Sequence, residues 1–255
     1  MYTRSLPAWV LAVLVLLPPA LVNANTVSYG DLIGTKTEFL GVQESSGTDT
    51  APLFGTPKLS GNSLIFSHMT FSSYATNGAS DTTDGQLDAT IQSVGNPGYY
   101  IDKLTLQEVG DTTLTGTGTS ATYSSVGTSV FLQILQVDNV DLSVPEWIDL
   151  NMTMSESGQW TLANGPLNAH SWNGALTVDL STILAGDGIP GHATQVAFEM
   201  DNSLATASEA NTTAYIAKKA EGLSVTPIIL PEPSALSLLV LSGVLLMAGR
   251  FGRKH

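Results

Sequence analysis

Leu87-Asp88-Ala89-Thr90-Ile91-Gln92 decides the fold class, because apolar and polar residues alternate strictly along it. Successive side chains of a β-strand point to opposite faces, so a period of two marks a strand with one dry face and one wet face. The pattern recurs outward from this stretch. Ile148, Leu150, Met152 and Met154 alternate with Asp149, Asn151, Thr153 and Ser155. Leu176, Val178 and Leu180 alternate with Thr177 and Asp179, and Val196, Phe198 and Met200 with Gln195 and Glu199. Further strands are expected over 38–43, 63–71, 99–108, 121–123, 159–163, 213–218 and 222–227. Residues 130–137 are apolar at both parities and are expected to form a central strand. Only 180–185 reads as helical. Gly, Asn, Asp and Ser punctuate the segments. Many short strands with almost no helix predict an all-β fold, an antiparallel β-sandwich of jelly-roll type. With no internal repeat and no long linker before Pro227, residues 25–227 are expected to form one domain.

Composition narrows the partners. From Asn25 to Pro233 five basic residues (Lys36, Lys58, Lys103, Lys218 and Lys219) face all 22 acidic ones, a net charge near −17. That excludes a nucleic-acid or anionic-membrane surface as the main function, since both need basic patches. The chain has no cysteine. Thiol catalysis, cysteine zinc sites and disulfide staples are therefore excluded, and an extracellular domain must be held by its core or by ions.

The two ends carry export signals. Arg4, an apolar run from Trp9 to Leu17 and a small residue at Ala24 predict a signal peptide over 1–24. At the other end Pro231-Glu232-Pro233-Ser234 precede an uncharged apolar run over 235–249, and Arg250, Arg253 and Lys254 follow it. The run is short for a spanning helix, and the basic end would stay cytoplasmic. Domain 25–227 would then lie outside, with 228–255 as a membrane-inserted tail.

This order of motif, Leu-rich helix and basic terminus resembles the PEP-CTERM family of sorting signals, with Pro231, Glu232 and Pro233 as the sorting motif. The resemblance implies recognition by a membrane-embedded exosortase, transient anchoring in the inner membrane, removal of the tail, and release to the cell surface or biofilm matrix. Three other tails have related logic. A sortase signal would need Thr-Gly where Pro233 and Ser234 stand; a GPI signal lacks a basic end; a plain single-span anchor would keep the tail. Phe39 to Ser46, Asp84 to Leu87 and Asp201 to Glu209 also look like segments of other PEP-CTERM proteins. That resemblance implies a fold and a location, and no activity.

Catalytic patterns are sparse. His68, His170 and His192 stand apart, with no His-Glu-x-x-His arrangement. Neither a Gly-x-Ser-x-Gly elbow nor a phosphate loop is present. Paired carboxylates for glycoside hydrolysis would converge only in space. Clustered oxygens suit calcium, and Asp81, Asp84 and Asp88 around the turn expected at Gly85 are a candidate site for a structural ion, with Glu44 and Asp49 in a second polar loop. The alternative is a turn whose aspartates cap their own backbone. Trp147, Trp160, Trp172 and the pair Tyr99-Tyr100 are candidates for a sugar platform. Alternation places Trp147 opposite the Ile148 set, hence outward. Asn151-Met152-Thr153 and Asn211-Thr212-Thr213 match the glycosylation acceptor pattern. The sequence therefore points first to an exported structural, non-catalytic surface or matrix protein. Its alternative is a carbohydrate-binding module or adhesin, calcium-stabilised, in contact with extracellular polysaccharide. A glycan-active enzyme comes third.

Overall fold

A computed structural model describes residues 25–94 and 98–231. The signal segment, Glu232 and Pro233 of the motif, the apolar run 235–249 and the basic end lie outside the described residues. Among the described residues no helix is long and apolar enough to cross a membrane.

The strands, in chain order, are β1 (Asn25–Ile33), β2 (Thr37–Ser46), β3 (Pro57–Ser60), β4 (Ser63–Phe66), β5 (Ser72–Thr76), β6 (Ser80–Ser93) and β7 (Tyr99–Thr115). They continue as β8 (Tyr123–Val137), β9 (Val140–Asn151), β10 (Thr153–Met154), β11 (Gln159–Thr161), β12 (Leu167–Asp179), β13 (Ala193–Ala207) and β14 (Thr213–Pro231). They form two antiparallel sheets. The first runs β1-β2-β6-β13-β8-β11, with β9 also against β8. The second runs β10-β12-β7-β14-β4-β3, with β5 also against β14. The architecture is thus an all-β sandwich.

The alternating residues close it. Leu87, Ala89 and Ile91 of β6, Val196, Phe198 and Met200 of β13, and Val130, Leu132 and Ile134 of β8 are all buried in one core. Leu104, Leu106 and Leu114 of β7 with Ile216 and Val225 of β14 meet them from the second sheet. Phe54, Phe66 and Phe71 fill one region of this layer, Phe54 lying 5.9 Å from Phe66 and 5.1 Å from Phe71 between ring centroids. Hydroxyl pairs also bridge the sheets: Ser73 to Thr206 at 2.8 Å and Thr112 to Ser124 at 2.6 Å. A buried ion pair, Lys218 Nζ to Glu108 Oε2 at 2.6 Å, lies between the sheets as well.

Three expectations change in detail. The run 148–154 keeps a single period but belongs to two strands: β9 pairs with β8 in the first sheet and β10 with β12 in the second. Buried Met152 carries the chain across. Segment 63–71 is not one strand, because β4 ends at Phe66 and β5 begins at Ser72. Phe71 at the junction is fully buried. Strand β14 runs through Pro231, four residues past the expected end of the domain, with Pro231 opposite Tyr99.

The helix is α1 (Leu180–Gly186), as expected. Asp179 caps it, its Oδ1 accepting from the Thr182 amide at 2.9 Å while Oδ2 meets Lys103 at 2.6 Å. The Lys103 hydrogen bond, with help from the Thr182 amide, draws the Asp179 carboxyl down to about 2.

Glu44 corrects another expectation. It is not in a polar loop but in β2, 1% exposed. Its carboxylate accepts from the backbone amides of Leu53 (2.5 Å), Phe54 (3.1 Å) and Gly55 (3.2 Å), pinning that loop over the core. Burial pushes its pKa up, and the three amides oppose the shift. Glu44→Ala would leave three buried donors without an acceptor. Since each orphan costs about 1–3 kcal/mol, chemical denaturation should show a loss of at least about 3 kcal/mol, with Glu44→Gln recovering part of it. An unchanged unfolding midpoint for Glu44→Ala would show that the clamp is dispensable.

Candidate functional site

The outer face of the first sheet gathers the side chains that the core rejects. Register fixes its rows. Across β2, β6, β13, β8 and β9, one row reads Gln43, Asp88, Glu199, Phe131, Asp149. The next reads Leu40, Thr90, Ala197, Gln133, Trp147, and the row on the other side reads Ser45, Gln86, Asp201, Ser129, Asn151. Directly opposed residues have Cβ atoms about 4.5–5.5 Å apart, so each row is a strip of touching side chains.

Two depressions mark this face. One, of about 180 Å³, is lined by Phe131, Leu132, Gln133, Trp147, Ala197 and Glu199. The other, of about 130 Å³, is lined by Ser45, Ser46, Gly47, Asp84, Gly85, Gln86 and Asp201. They lie on either side of the Asp88–Glu199 pair.

Trp147 dominates the first depression. It is 70% exposed while its neighbour Ile148 is buried, as the alternation predicts. Residues 142–145 bulge out of register between Asp141, opposite Gln136, and Glu146, opposite Ile134. Bulges of this kind re-aim the adjacent strand. An indole held in water at the edge of a sheet loses hydrophobic stabilisation, which makes such a residue informative.

The carboxylates repel one another. Burial raises the pKa of Glu199, and the charges of Asp88 and Asp201 add to it. Asp88 is raised by burial, against hydrogen bonds from Gln86 and Gln43. Asp201 is raised by burial and by Asp84. The face therefore holds acids that bind protons more readily than free ones, beside amides that both donate and accept.

The predicted calcium residues do not converge. Asp81, Asp84 and Asp88 lie along strand β6, not around a turn. Asp84 and Asp88 share the outer face but sit four residues apart, roughly 13 Å along a strand. Asp81 Oδ2 accepts from the Tyr74 amide at 2.8 Å. Gly85 lies within the strand, paired with Asn202, and Phe71 packs over it; an added Cβ would stand 2.6 Å from that ring. Among the described residues no group of three or more acidic or histidine side chains is placed to hold a metal.

The other aromatic candidates divide. Trp160 and Trp172 are core residues, 4% and 2% exposed. Tyr100 stacks on His192 at 4.1 Å, and Lys36 lies 5.0 Å from the Tyr99 ring, so these tyrosines belong to the far end of β7, away from Trp147. His170 pairs with Glu156 at 2.7 Å, and the hydrogen bond lowers the Glu156 pKa. Sequence reasoning missed Phe131, Gln133 and Glu199 as one site. The available signal was the double apolar parity of 130–137: β8 is interior to its sheet, yet Phe131 and Leu135 face outward and only half-buried.

Fold and face together define a β-sandwich with an aromatic and carboxylate groove on one outer face. No family model matches the chain. No characterised protein matches it in sequence. Among solved structures, it is similar to TmCBM61 in complex with β-1,4-galactotriose, at 5% identity and a TM-score of 0.23 over 65% of this chain and 70% of that one. The family 11 xylanase from Neocallimastix patriciarum is 14% identical, with a TM-score of 0.20 over 81% and 100%. Endoglucanase 3 of family GH12 from Trichoderma harzianum is 9% identical, with a TM-score of 0.23 over 81% and 98%. At these values none of them assigns a function or a site to this chain.

The carboxylate row makes a signed prediction. A pKa raised in the folded state stabilises the protein only while the group is protonated, and this contribution is lost as pH rises through the folded value. Asp88→Asn should therefore raise the melting temperature at neutral pH by about 1–2 °C, from the cost of like charges directly opposed. The gain should vanish as pH is lowered through the carboxylate range. A gain that persists in acid would mean that repulsion is not the cause.

Proposed function

We propose that the outer face of the first sheet binds an extracellular polysaccharide, and that the protein acts as an exported, surface or matrix carbohydrate-binding protein. The observation that carries the reading is Trp147, solvent-exposed beside Phe131, Gln133 and Glu199 in one groove. A sugar ring has an apolar C–H face and a rim of hydroxyls. An exposed indole offers the flat apolar partner, while amide and carboxylate groups beside it bond neighbouring hydroxyls and fix orientation. The jelly-roll form expected of the domain suits such a face. Export, exosortase sorting at Pro231, Glu232 and Pro233, and release from the inner membrane rest on the motifs of the two ends and belong to the same proposal.

Trp147→Ala should abolish retention on a polysaccharide affinity gel or glycan array while leaving the far-UV spectrum and melting temperature unchanged, because the side chain packs little against the core. Binding that survives the substitution, or an array on which the wild type binds nothing, would sink the reading. For sorting, C-terminal peptide mapping of protein recovered from the host envelope and medium should find no peptide beyond residue 235. A tail retained through His255 would identify a plain anchor instead.

A second reading is favoured by one observation, the direct opposition of Asp88 and Glu199 on the same face. Two carboxyl groups flanking a glycosidic bond can serve as acid and as nucleophile or base. Release of reducing ends from the bound polymer, lost in Asp88→Asn while binding is kept, would establish hydrolysis. No release would leave a binding face without turnover.

A further inference from the structure

Lys218, Asn202 and Glu108 meet at the centre of the sandwich, separate from the outer face. The side chains of Lys218 and Glu108 are each 1% exposed, and Asn202 is fully buried. Lys218 comes from β14 and Glu108 from β7 in the second sheet, while Asn202 reaches in from β13 of the first. The lysine amine lies 2.6 Å from Glu108 Oε2 and closer still to Asn202 Oδ1. The Thr128 hydroxyl is 2.7 Å from that same amide oxygen and 3.0 Å from Glu108 Oε2. Aromatic rings seal the site, with Phe71 at 5.3 Å and Trp172 at 5.9 Å from Nζ. Gly110 admits the Trp172 ring, since a Cβ there would stand 2.2 Å from it.

As a plain ion pair this arrangement is poor. Asn202 Nδ2 and Glu108 Oε1 are buried without a hydrogen-bond partner. Such orphans are rare in folded proteins, and a cation held among aromatic rings costs more than an exposed one. The same geometry reads well as chemistry. A lysine amine is a nucleophile once it has lost its proton. Burial draws the Lys218 pKa down, against the attraction of Glu108. The carboxamide of Asn202 is the electrophile in contact with it, and the Thr128 hydroxyl is positioned to donate to an oxygen that gains negative charge.

We propose that Lys218 and Asn202 condense to an intramolecular amide between Nζ and Cγ, with Glu108 carrying the protons and ammonia as the product. The proton of the lysine ammonium first passes to Glu108 along their contact, leaving a neutral amine and a carboxylic acid. Nζ attacks Cγ, and a tetrahedral carbon forms with its oxygen facing Thr128. Glu108 takes a proton from the attacking nitrogen and gives one to Nδ2. The Cγ–Nδ2 bond then breaks, the carbonyl re-forms, and ammonia leaves. Nothing is oxidised or reduced, and Glu108 ends as it stood before the attack. The product removes both the buried cation and the orphaned amide NH₂, and each removal relieves a desolvation cost. The bond ties the two sheets together and closes the chain from 202 to 218. In a protein without cysteine, it restricts the unfolded chain as a disulfide would.

Full-length protein, confirmed as folded by circular dichroism and then denatured, is cleaved after glutamate and analysed by mass spectrometry. Peptides 200–209 and 210–221 should remain joined, at their combined mass less one ammonia. Recovery of the two as separate, unmodified peptides from the folded wild type would overturn the proposal, with no variant needed. Glu108→Gln keeps the shape of the side chain but cannot cycle protons, so its peptides should separate. If they stay joined in that variant, the role given to Glu108 is wrong.

Discussion

Each long strand of this protein must bury one side against the opposite sheet, and the positions of almost all its polar groups follow from that requirement. Because side chains alternate along a strand, the residues that cannot enter the shared apolar layer are gathered on the outer faces. Leu87, Ala89 and Ile91 go inward, and Asp88, Thr90 and Gln92 are thereby lined up in water. The same division on β13 and β8 sets Glu199 beside Asp88 and Phe131 beside Glu199. A groove of mixed acid, amide and aromatic character thus forms as the complement of the core.

Several polar groups that enter the core are held by more than one contact. Glu44 binds three amides of a single loop, and hydroxyl pairs bridge the sheets. Around Lys218 and Glu108 the polar contacts are incomplete, with Asn202 Nδ2 and Glu108 Oε1 both unpartnered. A buried network that is only partly satisfied destabilises a fold, so its presence at the centre of the sandwich calls for a chemical reason. The outer groove and the buried cluster share no residue.

Much of the fold was legible residue by residue. The alternations at Leu87, Ile148, Leu176 and Val196 placed real strand residues on the correct faces, and Trp147 was assigned outward from parity alone. The short helix at 180 was legible as well. What failed was local. A period of two does not reveal when a chain changes sheets, so 148–154 looked like one strand. A glycine among aspartates looks like a turn, yet Gly85 lies in a strand, where the ring of Phe71 occupies the place of a side chain. Glu44 looked solvent-facing because carboxylates usually are, and the amides that hold it lie in a loop nine to eleven residues further along.

By itself, then, the sequence determined the all-β class, the inward and outward parity of the strands, the strongly acidic surface and the motif-bearing ends, because these depend on local periodicity and composition. Tertiary structure decided which strands became neighbours. Only that pairing sets Asp88 opposite Glu199, carries Phe131 and Trp147 into one groove, and brings Lys218 from one sheet onto Asn202 from the other. Cross-strand proximity depends on register between separate segments, as far apart as residues 88 and 199, and register is fixed when the whole core closes.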